Sequence, residues 1–175
     1  MKRIANWLFA RLRSRHADTR APDYIVGADS PDGAYLLRWY LIPRNRWLNI
    51  YLHQFLRDDD DRALHDHPWA WCSLLLQGQY IEHTIDAGGT HNRQLRDAGS
   101  LKVSGPWRAH RIELLPNTPD PANAFETYPR RPCWTLFITG PRMRRWGFHC
   151  PKGWVDFERF TKPGATGETG AGCDG

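Results

Sequence analysis

The sequence predicts an all-β domain, a barrel or sandwich of short strands with one helix at its start. Three observations carry that prediction: apolar runs of strand length, spacers full of turn formers between them, and an aromatic content of 13% with nine tryptophans. Aromatic and β-branched side chains suit a pleated, half-buried surface, while Gly and Pro punctuate turns. At 175 residues the chain makes one domain with room for a real core.

Residues 4–15 come first, with Ile4, Trp7, Leu8 and Leu12 on one helical face and arginines opposite. Such a helix is expected to pack its apolar stripe on the domain; the alternative is an anionic membrane surface. Turn formers fill 22–34. Strand-like runs follow at 34–42, 47–56, 71–77, 80–85, 100–104, 109–115, 133–139 and 144–149. Spacers such as DAGGTHN (86–92) and PNTPDPAN (116–123) separate them, and Gln77-Gly78-Gln79 reads as a tight hairpin turn. The acidic run Asp58 to Asp61 reads as a solvated loop; its four carboxylates could hold calcium, but the EF-hand spacing is absent. The expected organisation is a basic amphipathic helix over 1–20, the β domain over 21–162 and a flexible Gly-rich tail over 163–175, with Cys173 an exposed thiol.

The net charge of +5 permits an anionic ligand without demanding nucleic acid. No apolar stretch is long enough to cross a bilayer, and Arg11 and Arg13 break the opening segment too early for a signal peptide. Four cysteines without a CxxC pair are expected to be reduced, in a cytoplasmic protein.

The chemistry concentrates in ALHDHPWAWCSLLLQGQY, residues 63–80. Alternate residues of a strand share a face, so His65 and His67 project together and Asp66 points away, as a surface or supporting residue. Neutral imidazole is the commonest ligand of divalent transition metals, and a third ligand is expected from elsewhere. His110, in RAHRIELL, is the best candidate. Pro68 ends the strand, which puts Trp69 and Trp71 beside the metal.

These residues resemble the two motifs of the cupin superfamily. In G-x5-H-x-H-x3/4-E-x6-G, His65 and His67 match the histidines and Gly78 the last glycine, while Asp59 stands at the first glycine and Trp71 at the glutamate. In G-x5-P-x-G-x2-H-x3-N, Gly99 and His110 match, while Gly105, Trp107 and Leu114 replace the proline, glycine and asparagine. The resemblance spans residues 35–149 and implies a double-stranded β-helix, or jelly-roll barrel. It also implies a neutral three-histidine site without the motif-one glutamate, as in cupins of the thiol dioxygenase type. Iron(II) is then the favoured ion, with zinc, nickel or manganese as alternatives, and a homodimer is a family-level expectation.

A barrel cavity is expected to be lined by Trp71, Tyr80 and Trp107. Arg108 shares His110's face and suits a carboxylate or phosphate; an outer salt bridge is the alternative. His149 is a general acid or base near the mouth, or structural. Glu82 and His149 are further candidate ligands that no spacing singles out. Three functions stay open: an iron(II) oxidoreductase or dioxygenase acting on a small organic acid or thiol, a metal-free sugar epimerase or isomerase pairing a histidine with Tyr80, and a non-catalytic binding protein.

Overall fold

A computed structural model describes residues 1–59, 63–117, 130–164 and 166–174. The strands are β1 (Tyr24–Val26), β2 (Leu36–Tyr40), β3 (Asn49–Phe55), β4 (Leu64–His65), β5 (Trp71–Gln77), β6 (Gln79–Ile85), β7 (His91–Asp97), β8 (Leu101–Ser104), β9 (His110–Leu114), β10 (Cys133–Thr139), β11 (Gly147–Cys150) and β12 (Gly153–Asp156). They form two antiparallel sheets, ordered β1-β2-β3-β10-β5-β8 and β12-β11-β4-β9-β6-β7.

The pairing identifies the architecture. β6 pairs with β7, β5 with β8, β4 with β9 and β3 with β10, and successive pairs alternate between the two sheets. A two-stranded ribbon wound in this way is a double-stranded β-helix, the jelly roll expected above. The two motifs fall on it in order, since His65 on β4 lies opposite His110 on β9.

Winding the ribbon requires corners where a strand leaves one sheet for the other. Gly78 is such a corner and not the hairpin turn expected, because β5 and β6 lie in different sheets. Its φ is +87°, and a Cβ there would fall 2.9 Å from Cys133 Cβ, so a side chain is excluded twice over. The real hairpin is β6–β7, closed at residues 86–90 by Asp86 N–H donating to Thr90 O at 2.9 Å. β7, HNRQLRD, had no apolar alternation to reveal it; it is an edge strand, largely exposed.

Helix α1 (Lys2–Leu12) continues into a π-type turn over 13–17 and covers the outer face of the first sheet. Its buried face is Ala5, Leu8, Phe9 and Leu12, packed with Trp39, Leu52, Leu76 and Trp134. Ile4 and Trp7, expected on that face, are exposed. The cover explains why β10 reads as a nearly continuous apolar run: it is buried on both faces. Gly99 lies against the start of α1, where a Cβ would come within 2.7 Å of Lys2 N.

The expectations for the cysteines and for the acidic run are corrected. Cys150 and Cys173 form a disulfide, so Cys173 is not an exposed thiol, and Cys72 and Cys133 are the free cysteines. The tail also returns to the domain through Gly170 N–H to Phe160 O at 2.9 Å and Lys162 N–H to Glu168 O at 2.8 Å. Disulfides persist in oxidising compartments, so the cysteine argument for a cytoplasmic setting does not hold. No helix among the described residues is long and apolar enough to cross a membrane. Asp58 and Asp59 are not solvated: they accept from the backbone N–H of Leu114 and Ile112, each at 2.7 Å, and tie down β9. Asp60 and Asp61 lie outside the described residues, as does most of the 116–123 spacer.

Candidate metal centre

β4 contributes His65 alone. His67 follows in irregular chain, its N–H donating to Pro106 O at 3.2 Å, yet its ring still turns to the same side. The ring centroids of His65, His67 and His110 lie 4.9–5.2 Å apart, and one ligand nitrogen from each falls within 4.8 Å of the others. His67 Nε2 and His110 Nε2 are 2.9 Å apart.

The surroundings set the protonation of this group. Burial first, then the adjoining His65 and His110, holds His67 well below the usual histidine range; burial, His65, Lys102 and Arg96 do the same to His110. Both are therefore neutral at pH 7, as ligands must be. Glu82, fully buried on β6, accepts from His110 Nδ1 at 3.1 Å. That bond places the proton on Nδ1 and leaves the Nε2 lone pair facing the other histidines, the arrangement that metal-bound imidazoles adopt. Glu82 is itself held by Arg96, at 2.7 and 3.0 Å, and by the Lys102 ammonium. Burial, with Arg108 second, pulls the Lys102 pKa down to about 8. Asp59 Oδ2 lies 3.7 Å from His65 Nδ1. The donor set thus fits a divalent transition metal.

The cavity beside the histidines has a volume of about 1290 Å³ and is lined by Tyr35, Phe55, Ile112, Phe137 and Phe148 among others. Trp71 lines it as expected, stacked on His110 at 5.0 Å and against His67 at 5.2 Å. Tyr80 also lines it, but among Leu75, Ile112, Leu114 and Cys133. Burial pushes its hydroxyl pKa up, so it stays protonated.

Three expected residues lie elsewhere. Trp107 is 67% exposed and outside the cavity, because 105–109 form a loop rather than the start of β9. Arg108 faces a separate polar cleft of about 640 Å³ between β7 and β8, where it meets Asp86 at 3.5 Å. His149 projects from the outer face of β11 to Asp66 at 3.2 Å. Asp66 is no surface residue: it is 1% exposed and also accepts from Gly147 N, Trp154 Nε1 and Arg144 at 2.8–3.0 Å. It locks β11 and β12 to the segment that carries the ligands. Sequence reasoning passed over Glu82 as a partner of His110 and missed Arg38 and His53 on the inner face; inward alternation along β2 and β3 was the signal for those two.

No protein-family model matches this sequence, and no curated protein is similar to it. Solved structures do resemble it. Fe(II)-HppE with the alternative substrate (S)-1-HPP aligns at 16% identity with a TM-score of 0.46, over 69% of this chain and 58% of that one. A cupin superfamily protein from Desulfitobacterium hafniense aligns at 13% identity and TM-score 0.40, over 61% and 77%. A protein with a double-stranded β-helix domain from Klebsiella pneumoniae aligns at 12% and 0.42, over 65% and 83%. This chain spans less than two thirds of the length of the first.

Proposed function

We propose that this protein is a metal-dependent enzyme that holds one divalent transition ion, iron(II) before zinc, nickel or manganese, on His65, His67 and His110, and oxidises a small organic acid or thiol in the adjoining cavity. The observation that carries the reading is the convergence of three imidazoles at a cavity wall, with the Nδ1–H of one fixed by Glu82. Iron on three neutral ligands keeps positions open and supplies oxygen chemistry when bound.

The chain's own residues supply the rest. Glu82, held by Arg96 and Lys102, orients His110. Trp71 and Phe137, with ring centroids 5.3 Å apart, form an aromatic wall beside His67 and His110. The aromatic lining binds an organic body by burial.

Oxygen uptake tests the reading. Iron-loaded protein is offered a panel of short carboxylic acids and thiols, with His67→Ala as control. The expected result is substrate-dependent uptake by wild type and none by the variant. Fully iron-loaded wild type that consumes no more oxygen than His67→Ala across the panel would overturn the oxidase reading.

A further inference from the structure

The cavity has a cationic end. Arg38 projects inward from β2, its Cα paired with that of His53, and its Nε donates to His53 Nε2 at 2.9 Å. Its guanidinium lies over the Tyr51 ring at 4.9 Å. Arg44, at the rim, sits over Tyr40 at 5.6 Å. Both line the cavity, and among the described residues neither has a carboxylate partner. Of the other charged residues there, Arg130 pairs with Asp58 at 2.8 Å, Arg57 donates to Gly33 O at 3.2 Å, and Asp59 is taken up by Tyr35 and β9, while Lys162 adds a further cation to the lining. Asp32 and Glu168, also on the lining, pair with neither Arg38 nor Arg44. Burial pulls the Arg38 pKa down; Tyr51, Tyr40 and Tyr24 oppose that pull, and the Arg44 charge adds a little to it.

A second observation is independent of the arginines. Three buried ring nitrogens on the same lining, Trp69 Nε1, Trp71 Nε1 and His53 Nδ1, have no hydrogen-bond partner. Because His53 Nε2 accepts from Arg38, its Nδ1 bears the proton, so all three are donors. Unpaired buried donors are costly, and these three are complementary to an acceptor-rich ligand; Glu168 Oε1, on the same lining, is a buried acceptor that is also unpaired. The floor between the two ends is aromatic: His53 stacks on Phe137 at 5.1 Å, and Phe137 stands 6.0 Å from His67.

We propose that the ligand of this cavity is a carboxylate on an apolar or aromatic body, with the acid group on Arg38 and the body lying over His53 and Phe137 toward the three histidines. That the far end is the reacting end rests on the metal-enzyme reading above; the acid site itself does not. The handle is therefore an acid and not a thiol, and a guanidinium fork suits a carboxylate better than an ammonium would.

The test uses metal-free protein, titrated with phenylacetate and with neutral phenylacetamide and followed by tryptophan fluorescence. Wild type is expected to bind the acid at least about tenfold more tightly than the amide. Arg38→Gln loses that margin, Arg38→Lys keeps the charge but loses several-fold, and His91→Ala, on the exposed strand β7 and off the cavity, keeps the margin in full. Arg38→Gln is expected to melt no lower than wild type, because it removes an unpaired cation; if it fails to fold, Arg38→Lys carries the test. Equal binding of acid and amide, a margin untouched by either Arg38 variant, or no saturable response to phenylacetate, benzoate or 3-phenylpropionate below about 10 mM overturns the proposal. A preference that appears only with metal bound and disappears in His67→Ala puts the acid on the metal. That result overturns the Arg38 assignment and leaves the metal reading standing. An Arg38-dependent preference in protein that takes up no metal does the reverse.

Discussion

Strand β6 separates two histidine groups that look alike in pairs. Inside the barrel, His67 and His110 bring Nε2 atoms to 2.9 Å while His110 Nδ1 meets Glu82 at 3.1 Å. Outside, His83 Nδ1 and His91 Nε2 are also 2.9 Å apart, and His83 Nε2 meets Glu113 at 2.7 Å. The difference lies in what stands around each pair. The inner pair has His65 as a third donor. The outer pair has Arg111 Nη2 3.5 Å from His83 Nδ1, Arg93 on the carboxylate, and no third donor converging among the described residues. A guanidinium beside the lone pairs repels a divalent ion, so a short imidazole contact does not by itself make a metal site. A third ligand does, with no guanidinium set against the lone pairs.

The largest effect should separate the two groups outright. His110→Ala is expected to lower zinc affinity at least about a hundredfold, measured by chelator competition, while His91→Ala changes it by less than about twofold. Parity between the two variants would erase the distinction. Next come the carboxylates. Glu82→Gln should weaken metal binding by about 10–100-fold and lower the melting temperature, because Arg96 and Lys102 lose their counter-charge. Glu113→Gln should leave metal affinity unchanged.

A third prediction concerns Asp66, which sits between two of the ligands and points the other way. Burial pushes its pKa up, but hydrogen bonds from His149, Arg144, Gly147 N and Trp154 outweigh that and hold it at about 2, below the ordinary 3.8. A depressed carboxylate stabilises the fold above its unfolded pKa and ceases to do so as pH falls through the folded one. About 2 kcal/mol should therefore be lost between about pH 4 and pH 2, and the acid limb of a denaturation profile should flatten in Asp66→Asn. The smallest effect belongs to the outer group: His83→Ala should cost about 1 kcal/mol of stability for its buried hydrogen bond, without touching metal content.

The same contrast explains what was legible in the sequence. His65, His67 and His110 were readable because motif spacing survives in one dimension, and β5 and β10 because strands buried on both faces are continuous apolar runs. Tertiary pairing was not readable. Glu82 meets His110 across a strand pair 28 residues apart, and Asp66 meets His149 across 83. Gly78 carries turn chemistry whether it closes a hairpin or turns a barrel corner; only the partner of each flanking strand decides. Arg108 was misplaced for a local reason: alternation was extended back from His110 into residues that are not strand. Cys150 and Cys173 lie 23 residues apart with no motif to couple them.

The central claim is that the inner histidines, and not the outer ones, hold one metal ion. Tag-free protein is incubated with excess iron(II) under nitrogen, desalted, and its iron counted by elemental analysis in wild type, His67→Ala and His83→Ala. About one ion per chain in wild type and His83→Ala, with a trace in His67→Ala, is the expected result. Equal iron in all three, or only a trace in wild type, would contradict it.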